Sequence, residues 1–282
     1  MIESSRQRRT QHDASEASEA ARPWWDRVLS FPFIGFVPWI VLGVVEGRGR
    51  LTWAIGLALV LAAVVVAGDL LRGRQLKSLA LFDVVAFSIF LAATVSAGPA
   101  LLAWFEVWFG ELTNIALTLL VVGSMLARRP FTLEYAKEQA PPEWWDAPPF
   151  LRVNYVITGV WGAAFVVASA AGFYGDAVLR DNGNLWTGWI IQVGASVVAG
   201  QFTAWYPSYA TARNLRAAGL PADDAPPVRT FLATLALDTA VLGLLMLVLH
   251  GGPAWAGAAL LVLGIIGTVS WRRRPTSGQQ QP

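Results

Sequence analysis

The sequence predicts an all-α fold: a polytopic membrane helical bundle of about eight transmembrane helices, with both termini on the cytoplasmic side. Three observations predict it. The composition is too poor in charge for a water-soluble surface, the apolar residues come in runs of membrane length, and the basic residues gather on one side of those runs. Of 282 residues, 55% are hydrophobic and 14% are charged, against about a quarter charged in soluble domains. So few charges cannot clothe a wetted surface, and lipid must cover much of it.

A helix crossing about 30 Å of hydrocarbon needs about 20 mainly apolar residues. Eight runs are candidates: 31–46, 51–71, 79–97, 100–126, 151–174, 185–206, 230–250 and 253–271. The first is short and holds Pro32 and Pro38, so a tilted or re-entrant segment stays open for it. With eight crossings and a cytoplasmic N-terminus, all but Arg48, Arg50 and Arg180 of the 21 Lys and Arg residues fall inside. Such a bias orients membrane proteins. Without the first crossing, Arg6, Arg8, Arg9, Arg22 and Arg27 would all lie outside, so it is retained.

Residues 1–27 read as a polar, disordered cytoplasmic tail rather than a signal peptide, since no apolar core closely follows the arginines. Residues 28–126 form a first four-helix half, 127–150 a cytoplasmic loop, 151–271 a second four-helix half, and 272–282 a basic and polar tail. The halves share landmarks. "WWD" stands before each, at Trp24, Trp25 and Asp26 and at Trp144, Trp145 and Asp146. "AGPA" joins the third and fourth spans and "GGPA" the seventh and eighth. This order suggests a parallel 4+4 repeat. The indoles of Trp24, Trp25, Trp144 and Trp145 are read as interfacial anchors, since amphipathic rings favour the headgroup level.

Ionisable residues inside a span cost about 2.5–3.5 kcal/mol each on insertion scales, so each is a functional candidate. Asp83 lies one turn inside the third span; it reads equally as a site residue or as an interfacial carboxylate, wet or paired with Lys77. In the fourth span Glu111, Asn114 and Thr118 share a face, as spacings of three and four require. Glu106 lies off that face, or outside the lipid if the span begins late. Gln192 heads a stripe with Ser196, Gly200 and Thr203 that suits helix packing. Asp238 shares a face with Thr230 and Thr234 in the seventh span. The candidate intramembrane polar site is therefore Asp83, Glu106, Glu111, Asn114, Gln192 and Asp238.

No catalytic, cofactor-binding or metal-binding residues are assigned. The chain has no cysteine, which excludes disulfides and thiolate chemistry. His250 stands alone, His12 lies in the tail, and no HExxH, Walker or dinucleotide motif occurs. The net charge of +2 reflects orienting loop arginines and not a nucleic-acid surface. Oligomerisation is left open.

The longest internal loop, "RRPFTLEYAKEQAPPEWWDAPPF", divides in two. Thr132 to Gln139 is expected to form a short helix on the membrane surface, and the prolines at 141, 142, 148 and 149 stiffen the return. This loop, "LLRGRQLKSLALFD" after the second span, Asn154 and Trp161, and "NLW" at 184–186 occur in an order that resembles the intracellular septation protein A (YciB-like) family of bacterial inner-membrane proteins. The likeness covers roughly residues 31–206. It implies a bacterial inner-membrane location and a part in cell-envelope growth and septation, with envelope-synthesis or division proteins as partners beside the lipid bilayer. It carries no catalytic residues. The last two spans, the N-terminal tail and the longer central loop depart from that family's pattern.

Two functional classes follow. One is a membrane accessory or scaffold protein of the envelope. The other is an ion-coupled small-molecule carrier using intramembrane carboxylates such as Glu111 and Asp238. A membrane enzyme acting on lipid is a third reading. A polar cavity lined by Glu111, Asn114 and Asp238 would favour transport; a dry bundle packed on glycine would favour the scaffold.

Overall fold

The computed structural model describes residues 34–181, 183–222, 224–248 and 253–272. The N-terminal tail, the first WWD with Trp24 and Trp25, both histidines and the C-terminal tail from 273 onward lie outside these residues. The described chain is all helical: α1 Val37–Val45, α2 Leu51–Leu71, α3 Ser78–Ser96, α4 Pro99–Leu126, α5 Thr132–Lys137, α6 Pro148–Phe173, α7 Ile191–Ala217, α8 Val228–Val248 and α9 Ala254–Arg272. It divides into two compact units between Gly98 and Pro99, one helix earlier than the boundary between the proposed halves.

Among the described residues, six helices are long and apolar enough to cross a membrane: Leu51–Leu71, Ser78–Ser96, Pro99–Leu126, Pro148–Leu179, Val228–Val248 and Ala254–Trp271. Two of the eight expected crossings are not among these six. The first is an apolar stretch at Ile34–Val45, which rises only about 18 Å at 1.5 Å per residue. Pro38 lies in the first turn of α1, where its missing N–H does no harm. The sixth is long enough but insufficiently apolar, because α7 carries Gln192, Gln201, Asn214 and two arginines. It also runs past the expected end at 206, through Pro207 to Ala217. Ala, Leu and Arg after the proline are strong helix formers. The helix stops at Gly219, whose φ is +70°; Leu220 N–H closes on the Leu215 carbonyl at 2.9 Å, the closure a left-handed residue permits.

In the first unit α2 lies against α1 and α3. Ala54, Ala58 and Ala62 recur every fourth residue on the buried face of α2, so small side chains let the neighbours approach. Ile34, Val65 and Ala80 form a core cluster, with Val37 and Val66 packed on it. Trp39 of α1 packs on Phe87 of α3 with ring centres 4.4 Å apart.

In the second unit α6 packs on α4 and α7, and α8 and α9 form a hairpin. Glycine sets that hairpin's closeness. A methyl group at Gly243 would run into the backbone of Gly257 and Leu261, and one at Gly264 into the backbone of Ala236 and Ala240. Such small-residue seams let membrane helices touch backbone to backbone. Ile190, Met246 and Ala256 join the hairpin to the start of α7. Outward faces stay apolar, with Leu119, Val248 and Leu263 more than half exposed, as a lipid-covered surface requires.

The short helix expected on the membrane surface packs one side against protein. Thr132, Leu133 and Tyr135 of α5 are buried. The reason is polar: Thr132 Oγ1 lies 2.8 Å from Thr158 Oγ1 and donates to the Asn154 carbonyl at 3.1 Å. Both partners belong to α6, so the loop is tied down on that helix.

Candidate functional site

The polar face of α4 meets α6 and α7. Asn114 Nδ2 donates to Gln192 Oε1 at 3.1 Å, and Gln192 Nε2 donates to the Thr187 carbonyl at 3.0 Å. Glu111, one turn earlier on α4, is 6% exposed. Its carboxylate fills the space beside Gly172 of α6: a Cβ built there would overlap Glu111 Oε1 and lie 3.1 Å from Gln192 Nε2. Asp176, four residues on, hydrogen-bonds Glu111.

The backbone is built around this contact. After Phe173 the chain widens into a π-helical turn, Tyr174–Leu179, and a second such turn, Trp186–Ile190, precedes α7. Such turns often mark places where function bends a helix. Gly175 in the first faces Thr187 in the second so closely that a side chain there would overlap the Thr187 hydroxyl. The two glycines therefore let the end of α6 close on both Glu111 and Thr187.

Of the six candidate residues, the structure brings three together: Glu111, Asn114 and Gln192. Glu106 lies five residues before Glu111 on α4 and is partly buried. Asp238 joins a different contact, accepting from Gln201 Nε2 at 2.8 Å. Gln201 stands nine residues beyond Gln192 on α7, about 13.5 Å along the axis. The two carboxylates named for a shared carrier site are thus held at separate levels. Of the Gln192 stripe, Thr203 turns to α6, where its hydroxyl accepts from Trp161 Nε1 at 3.0 Å.

In the first unit Asp83 is 1% exposed, which removes the reading of a wet interfacial carboxylate. It accepts from Trp39 Nε1 at 2.7 Å. Lys77 forms an ion pair with Asp69 at 3.4 Å, both side chains nearly inaccessible. A buried pair of this kind needs its partner, since breaking it strands a charge.

The second WWD separates its two indoles. Trp144 is 54% exposed and open to a headgroup layer. Trp145 is tied into the loop instead: its N–H donates to the Ala140 carbonyl at 3.0 Å and Lys137 lies 5.1 Å over its ring.

Several polar contributors escaped sequence reasoning: Asp69, Trp39, Thr158 and Asp176. The last had a legible signal in "GFYGD", where two glycines and an acid end an apolar run. Trp39 and Thr158 had none, since each lies in an apolar run as packing residues do. Among the described residues, no group of His, Asp and Glu is arranged to hold a metal ion.

Fold and polar contacts together define a multi-pass helical membrane protein with side-chain pairs buried inside each unit. No protein-family model, curated protein or solved structure matches the chain.

Proposed function

We propose that the chain is an integral membrane accessory or scaffold protein of bacterial cell-envelope growth and septation, crossing the bilayer eight times with both termini in the cytoplasm. The observation that supports a scaffold is the pairing of its buried polar groups. Glu111 meets Asp176, Asn114 meets Gln192, Asp83 meets Trp39 and Asp238 meets Gln201. Polar groups so paired stiffen a bundle, and the glycine seam brings α8 and α9 into backbone contact at Gly243 and Gly264. The septation role draws its support from the order of the loop motifs. Of those motifs, the central loop is held in place: Thr132, Asn154 and Thr158 clamp it, and Trp145 and Lys137 clip its second half. A rigid loop suits a docking element. Photo-crosslinkers at Trp144 and Glu143 in living cells test this. Capture of envelope-synthesis or division proteins is expected; recovery of lipid alone would overturn it.

The second reading, an ion-coupled carrier, has one specific support, the two acids Glu111 and Asp176 facing each other beside an irregular helix end. Reconstituted vesicles decide it. A proton-coupled flux lost in Glu111→Gln would establish the carrier, and a flux unchanged by that substitution would remove the pair from any transport mechanism.

A further inference from the structure

Two adjoining clefts, each of about 380 Å³, flank the first turns of α8. One lies between α7 and α8, lined by Gln201, Trp205, Ser208, Thr230 and Phe231 among others. The second lies on the α9 side, lined by Arg229, Ala233, Leu237 and Trp271. Thr230 and Thr234 line both, so together they form one groove around α8. We propose that this groove binds an anionic phospholipid, its phosphate at Arg229 and an acyl chain along Ala233 and Leu237.

Three observations lead there. The groove lies at a helix end: Arg229 is the second residue of the 21-residue α8, and Trp271 is next to last in α9. For helices of membrane length, that level is the headgroup layer. The walls are graded. At the mouth stand a guanidinium and the hydroxyls of Thr230 and Ser208; deeper come Phe231, Ala233 and Leu237; and the Gln201–Asp238 hydrogen bond at 2.8 Å closes the floor on the α7 side. A basic mouth over an apolar wall matches a lipid phosphate and its chain, and basic pockets between membrane helices hold such headgroups. Third, Trp205 stacks on Phe231 at 5.3 Å, yet its buried indole N–H has no hydrogen-bond partner among the described residues. Buried donors are nearly always satisfied, and a lipid ester or phosphate oxygen entering beside Thr230 supplies the acceptor. This inference rests on the membrane placement of the helices and not on the envelope role.

Native mass spectrometry tests it, using the full chain in micelles doped with equal phosphatidylglycerol and phosphatidylcholine. Retention of phosphatidylglycerol about fivefold over phosphatidylcholine is expected, the effect of one basic residue near a surface. Arg229→Gln should bring the two lipids to parity while Arg229→Lys keeps the preference. Trp205→Phe should lower retention of both lipids with the melting temperature unchanged, because the described residues offer that N–H no acceptor. Parity in the unsubstituted chain, or full preference in Arg229→Gln, overturns the site. So does displacement of the lipid by millimolar sn-glycerol 3-phosphate, which would make it a site for a soluble phosphate. Should Arg229→Gln fail to fold, the Lys and Phe variants decide alone.

Discussion

The carboxylate of Glu111 occupies the volume that a side chain at Gly172 would need. α4 and α6 are thereby locked in one register, with an acid on one helix keyed to a missing Cβ on the other. Substituting the glycine forces the acid, or the helix, to move.

Gly172→Ala should therefore lower stability in detergent by about 1–3 kcal/mol, the usual range for overpacking. Glu111→Ala in the same chain should recover part of that loss. The coupling in a double-mutant cycle is the quantity to measure. Simple additivity of the two losses would show that the residues do not compete for space.

The Trp39–Asp83 contact predicts a loss of similar size. Trp39→Phe keeps the aromatic packing on Phe87 but withdraws the donor from a carboxylate that is 1% exposed. Leaving a buried acceptor without its donor costs about 1–3 kcal/mol. Asp83→Leu in the Trp39→Phe background should restore much of it, read as the midpoint of thermal unfolding. If Trp39→Phe melts with the unsubstituted chain, the bond contributes nothing.

For Lys77 and Asp69 the asymmetry is the test. Lys77→Met alone strands a buried carboxylate and should cost about 3–5 kcal/mol, whereas Lys77→Met with Asp69→Leu should lie near neutral. Equal losses in the single and double variants would place the stability in something other than the ion pair.

Arg128 closes α4 with φ at +59°, and Arg129 N–H reaches the Ser124 carbonyl at 2.9 Å. A left-handed backbone costs a residue with a Cβ about 1–2 kcal/mol. Arg128→Gly should raise the thermal midpoint, even though it removes a charge. Destabilisation would show that the Arg128 side chain contributes more than its backbone strain costs.

The six long apolar helices were legible because apolar length is a local property. The two differences have local causes too: the described apolar stretch at Ile34–Val45 is shorter than the about 20 residues a crossing needs, and α7 is too polar. The burial of α5 was not legible. "TLEYAK" has the mixed face of an interfacial helix, and only the hydroxyls of Thr132 and Thr158, 26 residues apart, bring it into protein. The shared face of Glu111 and Asn114 followed from their spacing alone, and Gln192 was on the candidate list, yet their meeting was not foreseen. Asp238 looked equivalent to Glu111 because both are acids inside apolar runs, but Glu111 lies beside Gln192 whereas Asp238 bonds Gln201, nine residues further along α7.

By itself, the sequence determined that this chain is a bundle of helices for a lipid environment, because hydrophobic length and scarcity of charge need no partner to be read. Only the tertiary structure decided which buried polar groups meet. Asn114 and Gln192 lie 78 residues apart and Trp39 and Asp83 lie 44 apart. Their meeting depends on how each helix is rotated about its axis. Helices such as α2 and α3 are apolar on every side, so they carry no stripe that would announce that rotation.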